Sequence, residues 1–173
     1  MTVGLSLVGC STSPARTSEV GAALAALLGP ADVILLCGDL GAGKTTFTQG
    51  LARGLRVAEQ VTSPTFTLVR QYPVPGTGKR PIQMLFHADV YRLGHLQEIA
   101  DLGLGELVED GGVALVEWGD VAEPVLGEGA LSVHLAAGEG GDDHRTITVS
   151  AGRSWSGRWD ALSSALGEWT VVR

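Results

Sequence analysis

The sequence predicts an α/β fold, a single domain over residues 1–173 with a central mixed β-sheet flanked by helices. Three observations carry that expectation. An unbroken apolar run at 33–37 enters a glycine-rich turn and then a segment with Phe47, Leu51 and Leu55 on one helical face, which is the order strand, loop, helix. Helical and strand patterns alternate through the first half, and strand patterns dominate the second. With 45% hydrophobic residues in a chain of 173, there is ample material for one core.

Taken in order, residues 3–8 form an apolar run read as an entering strand. Leu7-Val8-Gly9-Cys10 also resembles a lipoprotein cleavage box, but no Lys or Arg precedes Arg16, so the charged segment of a secretory signal is missing. A helix follows, with Thr17 or Ser18 as its cap, Glu19 in its first turn, and Val20, Leu24, Leu27 and Leu28 at helical spacing; Gly29-Pro30 stops it. After the 33–37 strand and the Phe47 helix, residues 65–72 alternate apolar and polar, residues 73–78 are rich in Pro and Gly, and residues 82–89 return as a strand, so the pair reads as a β-hairpin. A helical stretch at 96–107 is broken near Gly103 and Gly105, residues 113–116 form a buried strand, 131–136 and 146–149 form later strands, and 156–166 a terminal helix.

Twelve Lys and Arg against nineteen Asp and Glu give a net charge of −7, which argues against a protein that grips nucleic acid across a broad basic face. No apolar stretch approaches the roughly 20 residues of a membrane span. Two cysteines, Cys10 and Cys37, make no disulfide framework, and a reducing, cytoplasmic location is expected.

The segment Gly38-Asp39-Leu40-Gly41-Ala42-Gly43-Lys44-Thr45 matches G-x-x-x-x-G-K-[ST] between a predicted strand and a predicted helix. In that context it is a phosphate loop, and the fold becomes that of a P-loop NTPase. Backbone N–H groups of about Gly41 to Thr45 turn inward onto phosphate oxygens at the positive end of the helix, Lys44 reaches the β- and γ-phosphates, and the Thr45 hydroxyl ligates Mg²⁺. Gly78-Lys79 repeats the Gly-Lys pair, yet it is followed by Arg80 in a Pro-rich turn with no strand running into a helix, and reads as a solvated hairpin turn.

A phosphate loop alone leaves the reaction open, so the acids and hydroxyls must supply metal ligands and a base. In Ser63-Pro64-Thr65-Phe66-Thr67 a hydroxyl could approach the γ-phosphate or the metal, or the proline turn could simply open a strand. In His87-Ala88-Asp89-Val90-Tyr91-Arg92, period-two geometry puts His87, Asp89 and Tyr91 on one face, and Asp89 is either a Mg²⁺ carboxylate or a solvated strand end. The apolar strand Val113-Ala114-Leu115-Val116 delivers Glu117, which could act as general base, orient water, or be an exposed acid after a strand. Trp118 beside it is a core, rim or stacking aromatic. The chain contains no asparagine, so the Asn-Lys-x-Asp segment of Ras-type guanine readers is missing.

Together the segment from Gly38 to Phe47, Ser63-Pro64-Thr65-Phe66, the segment from His87 to Arg92, and Glu117-Trp118 closely resemble the TsaE family, over about residues 17–118. The resemblance implies a small Mg²⁺-dependent ATPase that works with TsaB and TsaD, whose assembly threonylcarbamoylates N6 of adenosine 37 in tRNAs reading codons that begin with A. Hydrolysis would reset the complex rather than drive transfer, and tRNA would be reached through the partners. Carried over, residues Asp39, Leu40, Gly41, Ala42, Gly43, Lys44, Thr45 and Thr46 would hold the nucleotide with Trp118 nearby. Thr45, Thr65, Asp89 and Glu117 would serve the metal, and Lys44, Asp89 and Glu117 would carry hydrolysis. Gly119 stands where a proline is commoner, and residues 119–173 offer little to match. Outside this family, a small-molecule kinase or a nucleotide-gated interaction module would also use such a loop; a kinase would need an acceptor pocket and an arginine-rich lid.

Overall fold

A computed structural model describes residues 4–64 and 67–170. Seven strands form one mixed sheet: β1 (Leu5–Ser11), β2 (Val33–Cys37), β3 (Val69–Pro73), β4 (Met84–Asp89), β5 (Gly112–Glu117), β6 (Leu131–Ala137) and β7 (Arg145–Ala151). Their order across the sheet is β1-β7-β6-β2-β5-β4-β3. The four central strands β6, β2, β5 and β4 run parallel, and β7, β1 and β3 join antiparallel at the two sides. All six residues of β5 are buried, as a parallel strand covered on both faces requires, and the apolar run that announced β2 has the same cause.

Helices α1 (Pro14–Ala25) and α2 (Lys44–Gly54) cover one face of the sheet, over Ile34, Leu36, Leu115 and Val133. Helices α3 (Leu96–Asp101), α4 (Leu104–Glu109) and α5 (Gly119–Leu126) cover the other, over Leu35, Phe86, Ala114 and Val116. A 3₁₀ segment at Arg153–Arg158 leads into α6 (Trp159–Ala165). Helices α1 and α2 touch backbone to backbone, because a Cβ on Gly50 would collide with the Ser18 carbonyl and one on Gly21 with the Phe47 carbonyl. That crossing is what seats α2, and with it the start of the glycine loop, on the sheet.

Several boundaries differ from the sequence reading. Helix α1 starts at Pro14 with Ser13 as its cap, accepting from the Arg16 N–H; Thr17 lies inside the helix, its hydroxyl 2.7 Å from that of Ser11. Leu27 and Leu28 lie beyond the helix but still pack on the core. The hairpin strands start later than expected, at Val69 and Met84, and Thr65 lies outside the described residues. Tyr91 has left β4 and is exposed, so it does not share a strand face with His87 and Asp89. The broken helix near Gly103 is confirmed as α3 and α4, with Gly103 at φ 66° between them. Helix α5 has no counterpart in the sequence reading; Pro124 lies inside it and Gly119 opens it, residue types that helix patterns disfavour. Residues 119–170, which offered no motif, supply two sheet strands, and β6 lies directly beside β2.

Candidate functional site

In an open parallel sheet the crevice beyond the carboxyl ends of the strands is where ligands bind. Here β2 ends in the loop 38–43, β4 ends at Asp89 and β5 at Glu117, so the three motif segments converge at one end of the sheet. The register makes the convergence specific: Leu36 pairs with Glu117, and Glu117 in turn with Asp89.

The glycine loop takes conformations that only its glycines adopt without strain, with φ of 139° at Gly38, 78° at Gly41 and 101° at Gly43. Gly43 is the N-terminal cap residue of α2 and uses no side chain, so the first N–H groups of the helix are left for a ligand. Lys44 is buried at 6% exposure and donates to the carbonyls of Gly38 (2.6 Å) and Asp39 (2.8 Å), holding its ammonium within the loop. The same ammonium lies 4.4 Å from the centroid of the Trp118 ring. Thr45 and Thr46 are half-buried in the first turn of α2, whereas Asp39 and Leu40 sit on the exposed rim.

Asp89 is 9% exposed; its Oδ1 accepts from the Tyr91 N–H at 3.0 Å and its Oδ2 from the Ser63 hydroxyl at 3.4 Å. It is therefore no solvated strand end, and the Ser63 loop does come to it. Glu117 is 4% exposed within β5 and pairs with the buried His87 Nε2 at 2.9 Å. The reading of Glu117 as an exposed acid fails on this burial. Trp118 takes a left-handed φ of 60° at the turn into α5, half-buried, and packs on Tyr91 with ring centroids 4.7 Å apart. Gly119 next to it lies so close to β2 that a Cβ would come within 2.6 Å of the Leu35 Cβ, which accounts for a residue without a side chain at that place.

Asp89 and Glu117 are register partners on β4 and β5 and Thr45 lies in the first turn of α2, so their oxygens could serve Mg²⁺, which commonly uses one or two carboxylates and completes its shell with phosphate and water. Among the described residues no group of three or more His, Cys, Asp or Glu forms a closed metal cage, and such a cage is not what Mg²⁺ needs. Cys37, at the end of β2, is no nucleophile: burial, reinforced by Asp120, pushes its thiol up to about 11.

Two features of the site escaped sequence reasoning. One is His87 as the partner of Glu117, 30 residues away in the chain. The other is Arg145, the first residue of β7, whose Nε donates to the Ala42 carbonyl at 2.8 Å and whose Nη2 donates to the Gly41 carbonyl at 3.2 Å, across more than one hundred residues of sequence. Arg145 also lines a cavity of about 580 Å³ beside the loop, together with Asp39, Leu40, Ala42, His134 and Ala137. Lys79 lies in an exposed turn between β3 and β4, as its Pro-Gly surroundings predict. None of the described helices is long and apolar enough to cross a membrane.

Comparison with known proteins extends this picture. A family model described as "Threonylcarbamoyl adenosine biosynthesis protein TsaE" matches residues 11–147, well beyond the 17–118 span that carries the motifs. A protein of Bacillus subtilis named tRNA threonylcarbamoyladenosine biosynthesis protein TsaE is 43% identical over 141 residues, 82% of this chain and 83% of the relative. A protein of the same name from Streptomyces coelicolor is 43% identical over 142 residues, 80% of this chain and 93% of the relative. The crystal structure of Bacillus subtilis YdiB superposes with a TM-score of 0.71 at 34% identity, covering 97% of this chain and 98% of that one.

Proposed function

The chain belongs to the TsaE family of tRNA threonylcarbamoyladenosine biosynthesis proteins, and from that premise we propose that it is a Mg²⁺-dependent ATPase which works with TsaB and TsaD. The observation that carries the reading is the meeting of the glycine loop, Asp89 and Glu117 at the carboxyl ends of three neighbouring strands. Loop N–H groups and Lys44 take the phosphates; for this the ammonium exchanges its bonds to the Gly38 and Asp39 carbonyls for phosphate oxygens, a charge-assisted and therefore stronger pairing. The cavity beside the loop takes the nucleoside half, against Arg145 and Ala137. Thr45 and Asp89 would hold the metal, and Thr65, which follows Ser63 by two positions in the sequence, would add a hydroxyl. When bound, Mg²⁺ offsets the charge that develops on the phosphoryl oxygens.

Glu117 orients the attacking water, and its burial keeps the carboxylate from being screened by bulk solvent. Trp118 covers Lys44 and shields the phosphates. Hydrolysis resets the partner complex, and tRNA is reached through TsaB and TsaD, consistent with a chain of net charge −7. The test is ATP turnover by the purified chain with and without TsaB and TsaD, with product analysis. Free phosphate released slowly alone and faster with the partners is expected. No hydrolysis in either condition, or a phosphorylated small molecule in place of free phosphate, would refute it.

A further inference from the structure

We propose that His87 is the positioning residue that fixes Glu117 in the orientation hydrolysis requires. The inference rests on the assignment of Glu117 to water or metal made above, and it starts from a burial problem. The side chains of His87 and Glu117 are 0% and 5% exposed, and a carboxylate removed from water to that degree is strongly disfavoured without a hydrogen-bond donor. His87 Nε2, 2.9 Å from Glu117 Oε1, is that donor.

The tautomer follows from the other ring nitrogen. Nδ1 is buried with no partner among the described residues. With the hydrogen on Nε2, Nδ1 carries only a lone pair, whereas the opposite tautomer would bury an unpartnered N–H and turn a lone pair toward the carboxylate oxygen. The first arrangement costs far less. The strand register explains why the bond is rigid. His87 and Asp89 are two residues apart on β4, so they share the face of the sheet on which Glu117 lies in register with Asp89. Both strands are interior and both side chains are buried, so close packing restricts the rotamers open to ring and carboxylate. Fixing Oε1 sets the direction of Oε2, the atom left to address water or metal. His87, whose side chain is 0% exposed, thus acts through Glu117.

The experiment measures ATP hydrolysis by the full chain with TsaB and TsaD, together with Mg²⁺-free nucleotide affinity, for H87F, H87N, H87Q, E117Q and the double variant H87F/E117Q. Phe keeps the ring volume and removes the donor. Gln can still place an N–H near Oε1, and Asn falls one methylene short. We expect H87F and H87N to lower kcat about ten- to a hundredfold, the range for loss of a group that orients a reacting ligand. The KM for ATP and the Mg²⁺-free affinity should stay within about twofold, H87Q should recover most of the lost turnover, and H87F should add less than about twofold in the E117Q background.

H87F turning over like wild type, H87Q as slow as H87N, or losses that multiply in the double variant would overturn the proposal. If H87F does not fold, the contrast between Gln and Asn decides. Full turnover by E117Q would remove the role of Glu117, and the proposal with it. Loss in E117Q with none in H87N would overturn the positioning role alone.

Discussion

The two parts of the chain on either side of Trp118 share one sheet but differ in how they use sequence. Before Trp118, short motifs sit at strand ends and each residue type is tied to a contact: Lys44 in its loop, Asp89 at the end of β4, Glu117 at the end of β5. After Trp118, no motif marks the strands, yet β6 pairs with β2 and Arg145 reaches back to the carbonyls of Gly41 and Ala42. Chemistry needs particular atoms at particular places, so it leaves a motif. Support needs only burial and a donor of sufficient reach, so many sequences satisfy it, and a single sequence hides which residue does so.

Substitutions on the two sides should separate these uses. The largest effect is expected for Lys44→Ala, which removes the phosphate-binding ammonium; ATP turnover with the partners should fall at least about a hundredfold, while loss of its bonds to the Gly38 and Asp39 carbonyls lowers the melting temperature of the unliganded protein by no more than a few degrees. A phosphate-release assay beside a melting curve checks both. Next comes Arg158→Ala on the far side. Arg158 grips Asp32 through two bonds of 2.7 Å and also donates to the Leu27 carbonyl at 3.0 Å, and Asp32 is only 7% exposed. Because the Arg158 side chain itself is 33% exposed, the loss is put at about 2 kcal/mol of stability, a few degrees in Tm, with turnover per folded molecule unchanged. Equal turnover loss in Arg158→Ala and Lys44→Ala would erase the distinction between the two regions.

Arg145→Ala tests the seam between them. It should weaken nucleotide binding about tenfold, through a loop that has lost its brace, and leave the residual turnover at saturating ATP within a fewfold of wild type; binding titrations and a kcat against KM comparison read this directly. The smallest effect concerns the thiols. At pH 8 an alkylating reagent should modify the exposed Cys10 and spare Cys37, whose thiol at about 11 is almost wholly protonated and only becomes reactive as pH rises toward that value. Mass spectrometry of the modified chain distinguishes the two.

The fold was readable where the pattern was periodic or continuous. The buried run of β2 and the glycine loop after it stood out because a parallel interior strand must be apolar throughout and a phosphate-loop backbone must use glycine. The broken helix at Gly103 was readable for a related reason, since a left-handed φ of 66° there favours glycine. Helix α5 was hidden because Pro124 stands inside it, and the start of α1 was misplaced because Ser13, Thr17 and Ser18 all offer hydroxyls while only Ser13 accepts the Arg16 N–H. The pairing of His87 with Glu117 and the reach of Arg145 depend on which strands lie side by side, which the order β1-β7-β6-β2-β5-β4-β3 determines and local sequence does not.

The central claim is that the ends of β2, β4 and β5 form one Mg²⁺-nucleotide site. Asp89 tests it most directly, because β4 is separated from β2 by β5 and has no other reason to matter to a nucleotide held by the loop. The measurement is Mg²⁺-dependent ATP turnover set beside Mg²⁺-free nucleotide affinity for Asp89→Ala. The account predicts a loss of about tenfold or more in turnover, with Mg²⁺-free affinity within about twofold of wild type. Equal losses in both, or none in either, would contradict it.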